Sequence, residues 1–135
     1  MTASAAVMGL AGVGGSFLPD EILDALGVDG GGRMPFIVQL LAALWLAAAM
    51  TNWMARGNAI GGIYGRPIAI GNLTHFSIGA LTLAKLATVG AGGLVVAAAG
   101  VYAAFAVGFA VVVFSAGPVA GSPRTPTNLP PPPIR

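Results

Sequence analysis

His75 is the one histidine in the sequence, and it lies four residues after Gly71 and four before Gly79. Residues four apart share a helix face, so a helix through this segment shows small, histidine, small on one side. That spacing leaves room for a flat macrocycle near the backbone, with Nε2 as the axial ligand to its metal. One imidazole suffices for a (bacterio)chlorophyll magnesium or for one side of a haem. The plainer reading is a hydrogen bond from His75 to Asn52, to Gln39 or to a lipid headgroup. A small-molecule or lipid-binding transporter would instead gather Gln39, Asn52, Asn72, Thr74 and His75 into one polar pocket.

Catalysis needs a nucleophile with its base, a metal cluster or paired carboxylates. The chain has no cysteine, and its four acidic residues, Asp20, Glu21, Asp24 and Asp29, sit together on one polar stretch with no histidine beside them. A single histidine cannot build a multi-ligand metal site. No enzyme is expected. Nucleic acid is not an expected partner either, because the pI near 9.7 rests on a few scattered basic groups where a clustered basic surface would be needed.

The elements that position these residues are set by where charge is missing. Hydrophobic residues make up 56% of the 135 positions and charged ones 7%, far below the roughly 25% charged of soluble domains. Mean hydropathy is +0.87. A charge at a bilayer centre costs several kcal/mol, so the pattern implies an all-α integral membrane protein. One span takes about 20 apolar residues, and the length therefore predicts a four-transmembrane-helix bundle over residues 1–117, followed by a proline-rich C-terminal tail over 118–135.

Span one is expected from Ala3 to Leu18. No Lys or Arg precedes this run and Pro-Asp-Glu follows it, so it reads as a span and not as a secretory signal. Pro19 to Gly27 carries helix punctuation: proline at the start, acids in the first turn, glycine after the last. Ile22, Leu23 and Leu26 share one face and Asp20, Glu21 and Asp24 the other, which predicts a short interfacial helix between spans one and two. Span two runs from about Pro35 to Trp53, with Gln39 and Asn52 as interhelical hydrogen-bond donors. Span three, about Pro67 to Leu86, is the most polar. Span four, about Leu94 to Phe114, sets Gly100, Ala104 and Gly108 along one ridge, a small-xxx-small face for contact with partner helices.

Between spans two and three, Arg56 to Pro67 holds four glycines, Tyr64, Arg56 and Arg66. Repeated glycine allows tight reversal, and the arginines make lipid headgroups the expected partner of Arg56, Tyr64 and Arg66. Neither GxGxxG nor GxxxxGK[ST] occurs, so no nucleotide cradle is expected. In the tail, Pro130, Pro131, Pro132 and Pro133 must run as polyproline II, the form taken by linkers and by ligands of aromatic grooves. Arg56, Arg66, Arg124 and Arg135 share one side of the bundle, against Arg33 and Lys85. The positive-inside bias then puts both termini in the cytoplasm.

At FLPDEILDALG (Phe17 to Gly27), QLLAALWLAAAMTNWMARG (Gln39 to Gly57) and IGGIYGRPIAIGNLTHFSIGALTLAK (Ile60 to Lys85), the sequence resembles a group of small bacterial four-span membrane proteins loosely like the DoxX type. The resemblance covers roughly residues 5 to 115. It implies a four-helix fold in a bacterial inner membrane, cytoplasmic or intracytoplasmic, and supplies no catalytic residues. The tail looks like an addition to that pattern.

The functional expectation is a non-catalytic accessory subunit of a larger bioenergetic membrane complex, respiratory or photosynthetic, a reaction centre and its antenna among them. Other integral membrane subunits and membrane lipids would be its partners, with the tail strapped along a cytoplasmic face. The alternatives are the transporter with the polar pocket and a homo-oligomeric membrane scaffold.

Overall fold

The computed structural model describes residues 1–57, 65–90 and 92–115. The described residues form α1 (Thr2–Phe17), α2 (Pro19–Ala25), α3 (Met34–Met54, continued by a single 3-10 turn at Ala55–Gly57), α4 (Gly65–Thr88) and α5 (Gly93–Ser115), with no strand among them. Residues 58–64, with Tyr64, and residues 116–135, with Pro130 to Pro133, lie outside the described residues.

Three stretches are long and apolar enough to cross a membrane: Met34–Gly57 and Gly65–Thr88, each of 24 residues, and Gly93–Ser115 of 23. At 1.5 Å per residue these reach about 35 Å, more than the roughly 30 Å hydrocarbon core. The expectation of four full spans meets a difference at the N-terminus. α1 has 16 residues, about 24 Å, and the chain bends by 105° between α1 and α2. The cause is Pro19. The last α1 bond is from Leu18 N–H to the Gly14 carbonyl at 2.8 Å, and the next residue has no N–H to continue the ladder. Leu18 leaves the helical region at φ −130°, ψ 48°, and Pro19 restarts the chain as the first residue of α2.

α2 ends as its glycine predicts. Gly27 takes φ +68°, its N–H bonds the Asp24 carbonyl at 3.0 Å and the Val28 N–H bonds the Leu23 carbonyl at 3.0 Å. This is a Schellman closure, which needs a left-handed residue. Leu23 is buried, Ile22 half-buried and Leu26 exposed, while Asp20, Glu21 and Asp24 face outward.

The helices pack as two close pairs, α1 with α3 and α4 with α5. The first pair is antiparallel, with Met8 beside Asn52, Gly12 beside Leu46 and Gly15 beside Ala42. A Cβ at Gly12 would stand 2.7 Å from Leu46 Cγ and 3.0 Å from the Ala42 carbonyl oxygen, and one at Gly15 2.9 Å from Ala42 Cβ. Only a bare backbone fits this crossing. In the second pair, Phe76 stacks on Phe105 and Phe109 at centroid distances of 4.8 and 5.8 Å. The pairs join through a core of Met8, Ala49, Ala69, Phe76, Phe109 and Val113.

Candidate functional site

Two asparagines sit where the pairs meet. Asn52 is on the last turns of α3 and Asn72 at the start of the third turn of α4, and both are buried. Asn52 Nδ2 donates to Asn72 Oδ1 at 2.8 Å, and Asn72 Nδ2 donates to Asn52 Oδ1 at 2.6 Å. The second hydrogens are used as well: Asn52 Nδ2 reaches Met8 Sδ at 3.7 Å and Asn72 Nδ2 the Ile68 carbonyl at 2.8 Å. Each carboxamide brings two donors, so every amide hydrogen in this pair has an acceptor. The expectation that Asn52 bonds across helices holds, and so does that for Gln39, whose Nε2 donates to the Ser16 carbonyl of α1 at 3.3 Å.

The polar pocket expected from five residues is assembled only in part. Asn52, Asn72 and His75 line one cavity of about 280 Å³ together with Met8, Thr51 and Gly71. Gln39 is engaged with Ser16 near the opposite end of α3, and Thr74 faces outward. Because the asparagine amides saturate one another, the cavity has no spare amide donor to offer a substrate.

His75 lines that cavity without joining the asparagine pair. Its hydrogen bond to Asn52 or Gln39 is not formed, because each of those amides bonds elsewhere. Its Nε2 is buried without a partner, and the same holds for Trp45 Nε1. Both residues line a second cavity of about 440 Å³ with Leu41, Ile78, Gly79 and Tyr102. His75 lies among aromatic rings, 5.1 Å from Phe76 and 5.5 Å from Tyr102 between centroids. The Gly71 side is open, and the place of a Cβ on Gly79 is taken by the Tyr102 ring. Among the described residues no group of three His, Asp or Glu side chains could hold a metal ion.

The arginines lie at one end of the bundle. The Arg56 guanidinium stands 3.9 Å above the Trp53 ring and its Nη1 donates to the Trp53 carbonyl at 2.6 Å. Arg66 is exposed in the first turn of α4. The ridge of α5 points away from the bundle: Gly100, Ala104 and Gly108 are exposed, and nothing lies within 4 Å of a Cβ placed at either glycine. α5 faces its own chain with Val95, Tyr102, Phe105, Phe109 and Val113.

The reciprocal asparagine pair was within reach of the sequence. Asn52 and Asn72 stand at similar distances from the short connection between α3 and α4, so antiparallel neighbours bring them to the same depth. The α1–α3 glycine seam carried a weaker signal, since Gly9, Gly12 and Gly15 repeat every three residues but name no partner. No family model, curated protein or solved structure matches the chain.

Proposed function

We propose that this chain is a non-catalytic accessory subunit of a larger membrane protein complex, held to its neighbours through α5. The observation that carries this reading is the outward ridge of Gly100, Ala104 and Gly108, unused within the chain and open over each glycine. Small residues spaced by four let a second helix approach closely, and van der Waals packing there drives association where lipid gives no hydrophobic gain. The saturated asparagine pair supports the same reading against a transporter, since it spends its polar groups on joining helices.

In this proposal the chain sits in a bacterial inner membrane, as the resemblance to small DoxX-like proteins implies. α1 and α2 together make the fourth, broken passage, and the end bearing Arg56 and Arg66 faces the cytoplasm, where the tail lies along the complex.

The test is gentle detergent extraction through a tag on this chain, followed by sizing, an absorbance spectrum and mass identification of co-eluting chains. A large particle with defined partner subunits is expected. A small bundle eluting alone would overturn the reading, and a particle containing this chain only would replace it with a homo-oligomeric scaffold.

A further inference from the structure

The charges of the described residues are separated along the bundle axis. The antiparallel α1–α3 pair puts the start of α1 beside the end of α3, and the Asn52–Asn72 bonds bring the start of α4 there as well, so Arg56 and Arg66 share one end. Asp20, Glu21, Asp24 and Asp29 all belong to the other end, with Arg33 and Lys85. The first end therefore carries two cationic side chains and, among the described residues, no acid.

A groove of about 320 Å³ opens sideways from that same end along the α1–α3 seam, lined by Ala5, Gly9, Val13, Leu46, Trp53 and Met54 among others. Its floor is low because Ala5, Gly9 and Ala49 are small. From Leu46 to Met54 it follows about 12 Å of helix axis, most of the roughly 15 Å that one leaflet contributes to the hydrocarbon core. The Trp53 ring closes the interfacial end, and Arg56 sits on that ring at 3.9 Å. One guanidinium N–H is tied to the Trp53 carbonyl. A guanidinium has five N–H donors in a planar fork suited to phosphate, so most remain for a ligand.

We propose that this groove holds one acyl chain of an anionic phospholipid, with the lipid phosphate taken by Arg56. Chain and headgroup are read by parts that are already in place: the seam supplies an apolar channel of one leaflet's depth, and the cation–π contact fixes the guanidinium at its mouth. Charge complementarity selects a lipid over a second copy of this chain, whose matching end would bring two more cations to a cationic mouth. The site rests on α1 and α3 alone and does not depend on the accessory-subunit reading.

The test uses the full chain purified in neutral detergent and titrated with phosphatidylglycerol or phosphatidylcholine of identical acyl chains, with bound lipid counted by native mass spectrometry. Phosphatidylglycerol should be retained about fivefold better, the contribution of one basic side chain at an anionic surface. Arg56→Gln should bring the two lipids close to parity, Arg33→Gln at the other end should leave the preference intact, and Gly9→Leu should lower retention of both. Inorganic phosphate at millimolar concentration should not displace the lipid. Equal retention of the two lipids by the parent chain, an unchanged preference in Arg56→Gln, or displacement by phosphate alone would each overturn the proposal. Should Gly9→Leu fail to fold, phosphatidylglycerol with six-carbon chains replaces it: retention equal to that of the long-chain lipid would show that the groove takes no part.

Discussion

Asn52 and Asn72 each donate a hydrogen bond to the other's side-chain oxygen, at 2.8 and 2.6 Å, across the junction of two helix pairs. The tight backbone contacts lie within the pairs, so this double bond and the small apolar core around it are what join one pair to the other. Replacing either asparagine alone by leucine leaves its partner buried with an unmet amide, a cost of about 1–3 kcal/mol. Asn52→Leu and Asn72→Leu should each lower stability, and the double variant should recover part of the loss. A double-mutant cycle followed by denaturant unfolding in detergent should give a coupling of about 0.6–1.7 kcal/mol. Strictly additive losses would mean that the two amides do not interact.

The α1–α3 seam makes a second prediction. Gly12→Ala must place a methyl 2.7 Å from Leu46 Cγ and 3.0 Å from backbone, and overpacking of this kind costs about 1–3 kcal/mol. Gly100→Ala meets nothing within 4 Å and exchanges glycine for the best helix former, worth up to about 1 kcal/mol in the other direction. Thermal unfolding of the isolated chain should therefore move down for Gly12→Ala and up or nowhere for Gly100→Ala. The same sign for both would contradict the assignment of inner and outer faces.

His75 supplies a third. It buries a ring nitrogen with no partner, and an apolar group of similar shape removes that desolvation cost. His75→Phe should raise the unfolding temperature of the isolated chain. A drop of several degrees would show that the His75 nitrogen has a partner in the working protein.

On α5, Gly100→Leu and Gly108→Leu should leave the isolated chain folded while reducing recovery of partner subunits in the tagged extraction. Unchanged recovery from both variants would remove the ridge from the interface.

Much of the helix layout was legible because proline and glycine mark its breaks. Pro19 opens α2, Gly27 closes it in the left-handed region, Pro35 stands in the first turn of α3, and long, predominantly apolar runs without an acidic residue fill α3, α4 and α5. The shortness of α1 was partly visible in its glycines, but its length was set by the proline that stops it. What the pattern does not carry is which faces meet. α5 is apolar all round, so its periodicity cannot tell the buried Phe105 and Phe109 side from the outward Gly100 and Gly108 side. The asparagines read as polar interruptions, and only the meeting of the two helix pairs turned them into a matched pair and left His75 without either.

The 105° turn at Leu18 and Pro19 gives the molecule a low side. Beside α1, apolar helix reaches about 24 Å, some 6 Å less than an average bilayer core, and Phe17 and Leu18 stand exposed at that rim. Elsewhere the perimeter is about 35 Å tall. In the proposed arrangement, with α1 part of a passage, lipid around the protein compresses on one flank and stretches on the other, at fractions of a kcal/mol per ångström of mismatch. Such a perimeter is relieved by leaning, by gathering thinner lipid along α1, or by a neighbour that covers the short flank. In that arrangement the kink makes the surrounding bilayer itself uneven, and the α1 flank is where deformation of the membrane collects.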